Sequence, residues 1–187
     1  MGRLEGHEES LGWRDFMGTP PDPPPAGEAA YTEARFDLSY GYEYDTNTAT
    51  KGYQITDVSV KVSVERGKMW SVKSGRTDAL LKHEQGHYDI VALLARDLYD
   101  ELTGWNEGKK PKRFAKATDL SGTANRMRRS TEAQVVHLGG SPRSVGAYDK
   151  QTKHGLDAKA QEKWDAALAD ARANGTRVAK ALGRLGA

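Results

Sequence analysis

The chain has no cysteine. That excludes disulfides and any metal site built on thiolate. It does not assign a compartment, because a cysteine-free chain suits oxidising and reducing surroundings alike. Long apolar runs are missing too, so no stretch reaches the roughly 18 residues that a membrane-spanning helix needs. Charge of one sign is also lacking. The 28 basic and 26 acidic residues leave a formal net charge of +2, which selects no strongly charged partner class. Residues 1–10 contain no apolar core of the kind a secretory leader carries. They read as a disordered tail, on a chain that is either cytoplasmic or has already lost its leader. The 187 residues, 37% hydrophobic and 29% charged, suffice for one domain with a real core.

One stretch carries chemistry. Leu80-Leu81-Lys82-His83-Glu84-Gln85-Gly86-His87-Tyr88-Asp89-Ile90 contains His-Glu-x-x-His. On a helix, His83 and His87 lie one turn apart on one face, where two imidazoles can meet one tetrahedral metal. Glu84 points about 100° away, a position suited to taking a proton from a water that the metal acidifies. Leu80, Leu81, Ile90, Val91, Leu93, Leu94, Leu98 and Leu102 surround this cluster with apolar residues, so the helix is expected to be buried. Buried histidine and glutamate must be paired or bound.

The remaining elements follow from periodicity. Trp13 and Phe16 suggest a short helix or turn docked on the body. Pro20, Pro21, Pro23, Pro24 and Pro25 force an extended crossing. Residues 34–45 and 58–65 alternate apolar and polar, as half-buried strands do, and the Asn/Thr/Gly-rich link between them predicts an antiparallel hairpin. Residues 69–72 either continue the sheet or turn toward the site. Thr77 or Asp78 caps the helix that follows, which runs to Leu102 and stops at Gly104. Further helices are expected over residues 118–138 and 156–182, the last with Trp164, Leu168 and Val178 inward, followed by a frayed tail. Lys109, Lys110, Lys112, Arg113 and Lys116, with Arg126, Arg128 and Arg129, make a basic region. It lacks the interleaved aromatics of a nucleic-acid surface, so a nucleic-acid partner is not expected.

A catalytic zinc takes three protein ligands, and the helix supplies two. Its next same-face residues, Ile90 and Val91, are apolar. The third ligand must therefore come from elsewhere. The stretch Tyr148-Asp149-Lys150-Gln151-Thr152-Lys153-His154-Gly155 places a phenol, a carboxylate and an imidazole together. Gly155 allows the backbone to turn His154 inward, which makes His154 the first choice. Asp149 is second, as ligand or as orienter of a histidine, ahead of His137, Glu132, Glu107 and His7. Tyr148 is the expected hydrogen-bond donor to an oxyanion.

With Trp13-x-Asp15-Phe16-x-Gly18 near the start and Gln161-x-Lys163-Trp164-Asp165 near the end, these motifs resemble a family of bacterial proteins, originally of unknown function and predicted to be secreted zinc-dependent proteases. The resemblance covers about residues 11–170. It implies a zincin-like metallopeptidase, secreted or periplasmic, with His83, His87 and His154 matching the metal-site motifs. The expectation is thus a single α+β domain over residues 11–187, with a small antiparallel sheet packed on the active-site helix and further helices toward the C-terminus. Zinc is its cofactor, and a peptide or protein its substrate. Two rival functions share these residues. One is a zinc amidase acting on a cell-wall or other non-protein amide. The other is a binding module in which zinc is only a staple.

Overall fold

A computed structural model describes residues 2–107, 111–141 and 144–183. The architecture is α+β, with a small mixed sheet and several helices. Strand β1 (Arg3–Glu5) is followed by a single 3-10 turn at Trp13–Asp15. Then come β2 (Ala30–Tyr31), β3 (Ala34–Asp45), β4 (Gly52–Val64) and β5 (Trp70–Ser71). The helices are α1 (Asp78–Thr103), α2 (Ala117–Gly139), α3 (Ala147–Thr152), α4 (Ala158–Asn174) and α5 (Val178–Gly183). No described helix is long and apolar enough to cross a membrane.

The expected hairpin is present. Strands β3 and β4 pair antiparallel, with Phe36 opposite Val62 and Leu38 opposite Val60. Alternation holds on β4 through Val58, Val60 and Val62, all buried, and then shifts. Ser39 faces Ser59, but Gly41 faces Thr56, so Asp57 and Val58 together oppose Tyr40. This is a β-bulge, and Asp57 takes the left-handed conformation (φ 48°). The extra residue turns Ile55, not an even-numbered neighbour, into the core. Beyond the bulge the expected apolar face of β3 ends, because Tyr42 and Tyr44 are exposed near the hairpin tip.

The N-terminal segment is a correction. Residues 3–5 form a strand that pairs parallel to β4, so the sheet is mixed, in the order β1-β4-β3, and the segment is no disordered tail. Backbone contacts hold it, which composition does not reveal. The Tyr88 hydroxyl donates to the Gly6 carbonyl (2.5 Å) and accepts from Glu9 N–H (2.8 Å). Gln85 donates to the Glu9 carbonyl (3.1 Å) and accepts from Leu11 N–H (2.8 Å). Gly6, at φ 66°, lies so close to β4 that a Cβ would sit 2.2 Å from the Val62 carbonyl oxygen. Asp15 then accepts from Arg66 at 2.7 Å, tying the Trp13–Asp15 turn to the end of β4.

Helix α1 begins where expected. Thr77 accepts from Leu80 N–H at 3.1 Å, and Asp78 occupies the positive first turn. Two cores meet on α1. Tyr88, Val91, Ala92, Ala95, Leu98 and Leu102 pack with the sheet and α2, whereas Ile90, Leu93 and Leu94 pack with Trp164, Leu168, Val178 and Leu182. The single helix expected over residues 156–182 is broken. Gly175 (φ 62°) ends α4, and Asp97 accepts from Val178 N–H at 2.7 Å to start α5. Arg96 holds the break by donating to the carbonyls of Ala171 and Thr176. Trp164, Leu168 and Val178 face inward as expected.

In the basic region, Lys109 and Lys110 and the tail beyond residue 183 lie outside the described residues. Lys112 lies over the Trp105 ring (4.1 Å), and Arg113 donates to the Thr50 carbonyl (3.1 Å), so both are engaged within the fold.

The N-terminal docking is testable through Tyr88→Phe. Removing one hydroxyl that bridges two backbone groups should cost about 1–2 kcal/mol in chemical denaturation. Amide exchange at Glu9 should accelerate more than exchange in α1. Equal protection of Glu9 in both proteins would show that the strand is held by something other than this hydroxyl.

Candidate metal centre

The polar face of α1 meets α3 at a single point. Nε2 of His83 and Nε2 of His87 are 3.3 Å apart, and Asp149 Oδ1 lies 3.1 Å and 3.0 Å from them. Among the described residues this trio is the group whose ligand atoms converge closely enough to hold a metal ion. A tetrahedral zinc with bonds of about 2.0–2.1 Å separates neighbouring ligand atoms by about 3.3 Å, so the three edges have the required size.

The outward hydrogen bonds decide what the inner atoms are. His83 Nδ1 lies 3.0 Å from Gln161 Oε1. The Gln161 amide nitrogen donates to the Tyr148 hydroxyl (2.5 Å) and to Asp165 (2.7 Å), so its oxygen faces His83 and must accept. His87 in turn hydrogen-bonds the Gly139 backbone. With each ring N–H directed outward, the two Nε2 lone pairs and the Asp149 oxygen face one another. Three converging lone pairs repel unless a cation stands between them, and a metal or extra protons can serve. Burial acts first on the Asp149 carboxyl and would raise its pKa. Where extra protons and no metal fill the gap, hydrogen bonds from His83 and His87 outweigh that burial and hold the carboxyl well below the usual range, so it is ionised and able to ligate. Burial likewise opposes the charged form of His87, but the Asp149 hydrogen bond and the Glu84 charge prevail and raise its pKa. Both shifts describe a site with an appetite for positive charge.

Glu84 stands beside the trio. It is 3% exposed, and its Oε2 is buried with no hydrogen-bond partner among the described residues. An ionisable oxygen in that condition requires a functional account. The trio and Glu84 open onto a cleft of about 550 Å³. Residues 28–34 line one wall and the end of α2 with Gly139, Gly140, Ser141, Ser144 and Val145 the other, while Pro21 and Pro25 bring the proline crossing to its edge. Along the first wall the Tyr31 hydroxyl donates to Glu33. Burial, then that contact, raise the Tyr31 pKa, so the phenol stays protonated.

The site differs from the expected one in two places. Asp149, the second choice, completes the trio. His154 lines the cleft outside it, with Nδ1 3.5 Å from Asp149 Oδ1. The expected oxyanion donor, Tyr148, is corrected. It is 0% exposed, does not line the cleft, and donates its proton to the His83 carbonyl (3.2 Å). Its ring stacks on His83 at 4.6 Å and 13°. Tyr148 is therefore a floor beneath the metal ligands, and burial above all keeps its phenol protonated. The other ligand candidates lie elsewhere. His137 is in the last turn of α2 beside a small side pocket, Glu132 pairs with Arg128, His7 with Glu8, and Glu107 is exposed past the Gly104–Asn106 turn. Gln161 and Gly139, which hold the two histidines, were not expected in these roles. The spacing of Gln161 within its motif marked it, but nothing in that spacing named its partner.

The packing around Gly86 leaves no room for a side chain there. A Cβ on Gly86 would lie 2.1 Å from the Tyr148 hydroxyl oxygen and 2.6 Å from its Cζ. Gly86→Ala should therefore lower the unfolding midpoint, although alanine in a helix interior ordinarily adds about 1 kcal/mol over glycine. It should also weaken zinc binding, because Tyr148 and Asp149 move together. Calorimetry showing a higher midpoint would rule out the packing of Tyr148 against Gly86.

A scan of protein-family models, a search of curated proteins and a search of solved structures each returned no match to this chain.

Proposed function

We propose that the protein is a zinc-dependent hydrolase of peptide bonds with a zincin-like site. One observation carries this reading: three bare ligand atoms 3.0–3.3 Å apart adjoin the buried, unpartnered Oε2 of Glu84, at the base of an open cleft. Two imidazoles and one carboxylate form a donor set that suits zinc and leaves a position for water or substrate. Zinc, when bound, supplies Lewis-acid chemistry by polarising a carbonyl and acidifying a water.

The chain's own residues divide the remaining work. Gln161 and the Gly139 backbone hold the two rings in the tautomer that presents Nε2 inward. Tyr148 fixes the height of His83. Glu84 takes the proton of the attacking water and returns it to the leaving nitrogen, the role of a general base that becomes a general acid. His154, beside Asp149 in the cleft, is placed to hydrogen-bond the oxyanion in the stead of the buried Tyr148. The edge of the cleft along residues 28–34 suits an extended peptide better than a compact ligand. A metal serving as a staple would give the unpartnered Glu84 oxygen no purpose, which favours catalysis.

Zinc titration against a competing chelator separates these assignments. His83→Ala, His87→Ala and Asp149→Ala should each weaken zinc by more than about 100-fold, whereas His154→Ala should retain it and lose turnover. A His154→Ala protein as weak for zinc as His83→Ala would make His154 the third ligand. Glu84→Gln should keep zinc and lower kcat roughly 10²–10⁴-fold. Full turnover by that variant would remove Glu84 from the chemistry.

A further inference from the structure

The cleft is acidic although the chain is slightly basic. Glu28, Glu33, Glu84 and Asp149 line it, and no lysine or arginine does so among the described residues. A divalent ion at the trio would leave the cleft net negative by two. Three of the four carboxylates already have a place. Asp149 faces two imidazoles, Glu33 accepts from Tyr31, and Glu84 is the base. Glu28 has none. It follows the turn in which its N–H donates to the Pro25 carbonyl (3.0 Å), and it is carried on the proline crossing over the edge of the site. Burial holds its carboxyl above the ordinary value. His154 favours its charged form, while Asp149 and Glu84 oppose it. A carboxylate so placed gains from any cation that enters beside it.

We propose that Glu28 is a specificity-determining residue of the cleft, which receives a cationic nitrogen of the substrate, a lysine or arginine side chain beside the bond to be cut. The rest of the lining supports that division of labour. Ala30, Trp70, Leu80, Val91 and Val135 line the same cleft and offer apolar surface to the stem of such a side chain, while Glu28 offers the charge. Val136 and Val145, exposed at the opposite rim, offer only apolar contact to the flanking residue. An acidic substrate would meet like charge from four carboxylates and no described basic side chain.

This inference rests on the hydrolase reading for its biological sense, and its test does not need turnover. The zinc-loaded Glu84→Gln protein would be titrated calorimetrically with N-acetylated, C-amidated pentapeptides that differ only in a central lysine, norleucine or glutamate. Lysine should bind about tenfold tighter than norleucine, and glutamate weakest. Adding Glu28→Gln should collapse the lysine-to-norleucine ratio toward one, and Glu28→Lys should reverse the order of lysine and glutamate. A fourth peptide with norleucine and a free N-terminus identifies the source of the nitrogen. A Glu28-dependent gain from the free amine, in place of lysine, supports the cation site with the chain terminus as its occupant. A lysine preference of the same size with and without Glu28 overturns the proposal. Wild-type cleavage of a mixed peptide pool, read by mass spectrometry, keeps the two readings apart. Cleavage without charge preference overturns the Glu28 role alone. Charge-selective binding with no cleavage overturns the hydrolase alone.

Discussion

Helix α1 lies between two apolar cores, yet it brings His83, Glu84, Gln85, His87 and Asp89 into that burial. A buried polar group without a partner costs on the order of several kcal/mol. Much of the rest of the fold supplies those partners. Gln85 engages the N-terminal segment, and Asp89 accepts from Arg172 of α4 at 2.6 Å. His83 engages Gln161 of α4, and His87 the end of α2. Gln85 and Asp89 thus tie α1 to the N-terminal segment and to α4. Gly86 leaves the space in which Tyr148 lies flat on His83.

This arrangement couples the site to folding. Asp149 follows Tyr148 directly, and Tyr148 is clamped between His83, Gln161 and Trp164. The third ligand is therefore positioned by core packing, not by a free loop. Gly155 (φ 81°) makes the same point from the other side, since a Cβ there would lie 3.0 Å from that of His83. Three inward lone pairs held by packed neighbours repel one another until a metal ion or added protons stand between them. A metal that bound there would add its binding free energy to the stability of the fold.

How much of this was legible in the chain depends on the range of the interaction involved. The alternation of residues 34–39, the Thr77 cap, the extent of α1 and the His83–His87 pair follow from local periods, and the structure shows them, whereas the expected alternation fails over residues 41–45. The bulge at Asp57 was not legible, because period two carries no sign of a skipped residue. Strand β1 was hidden for a different reason: it is held by parallel pairing with the distant β4, and the residues that follow it, Gly6, Glu9 and Leu11, are held by Tyr88 and Gln85, more than 70 residues away in sequence. The break at Gly175 sits within an alanine-rich run whose composition favours one helix, and only the Arg96 and Asp97 contacts make the interruption favourable. The structure places Tyr148, Asp149 and His154 beside His83 and His87. Which of them converges with the two imidazoles was not legible, because a six-residue helix (α3) decides which side chain faces α1, and a short segment shows no period from which to read it.

The cleft carboxylates Glu84 and Glu28 differ in kind. Glu84 is rooted in α1 and almost fully buried, so it cannot follow a substrate and its geometry is set before anything binds. Preorganisation of that sort suits a group whose task is proton transfer at one fixed point. Glu28 rides on an irregular segment that follows five closely spaced prolines and precedes the short strand β2. Such a segment keeps its course without a ladder of hydrogen bonds, and its side chain can adjust to ligands of different length. Rigid placement for the reacting group and adjustable placement for the recognising group follow from the elements that carry them. On the proposed hydrolase reading, the cleft would hold one chemistry fixed while the wall over residues 28–34 selects among substrates.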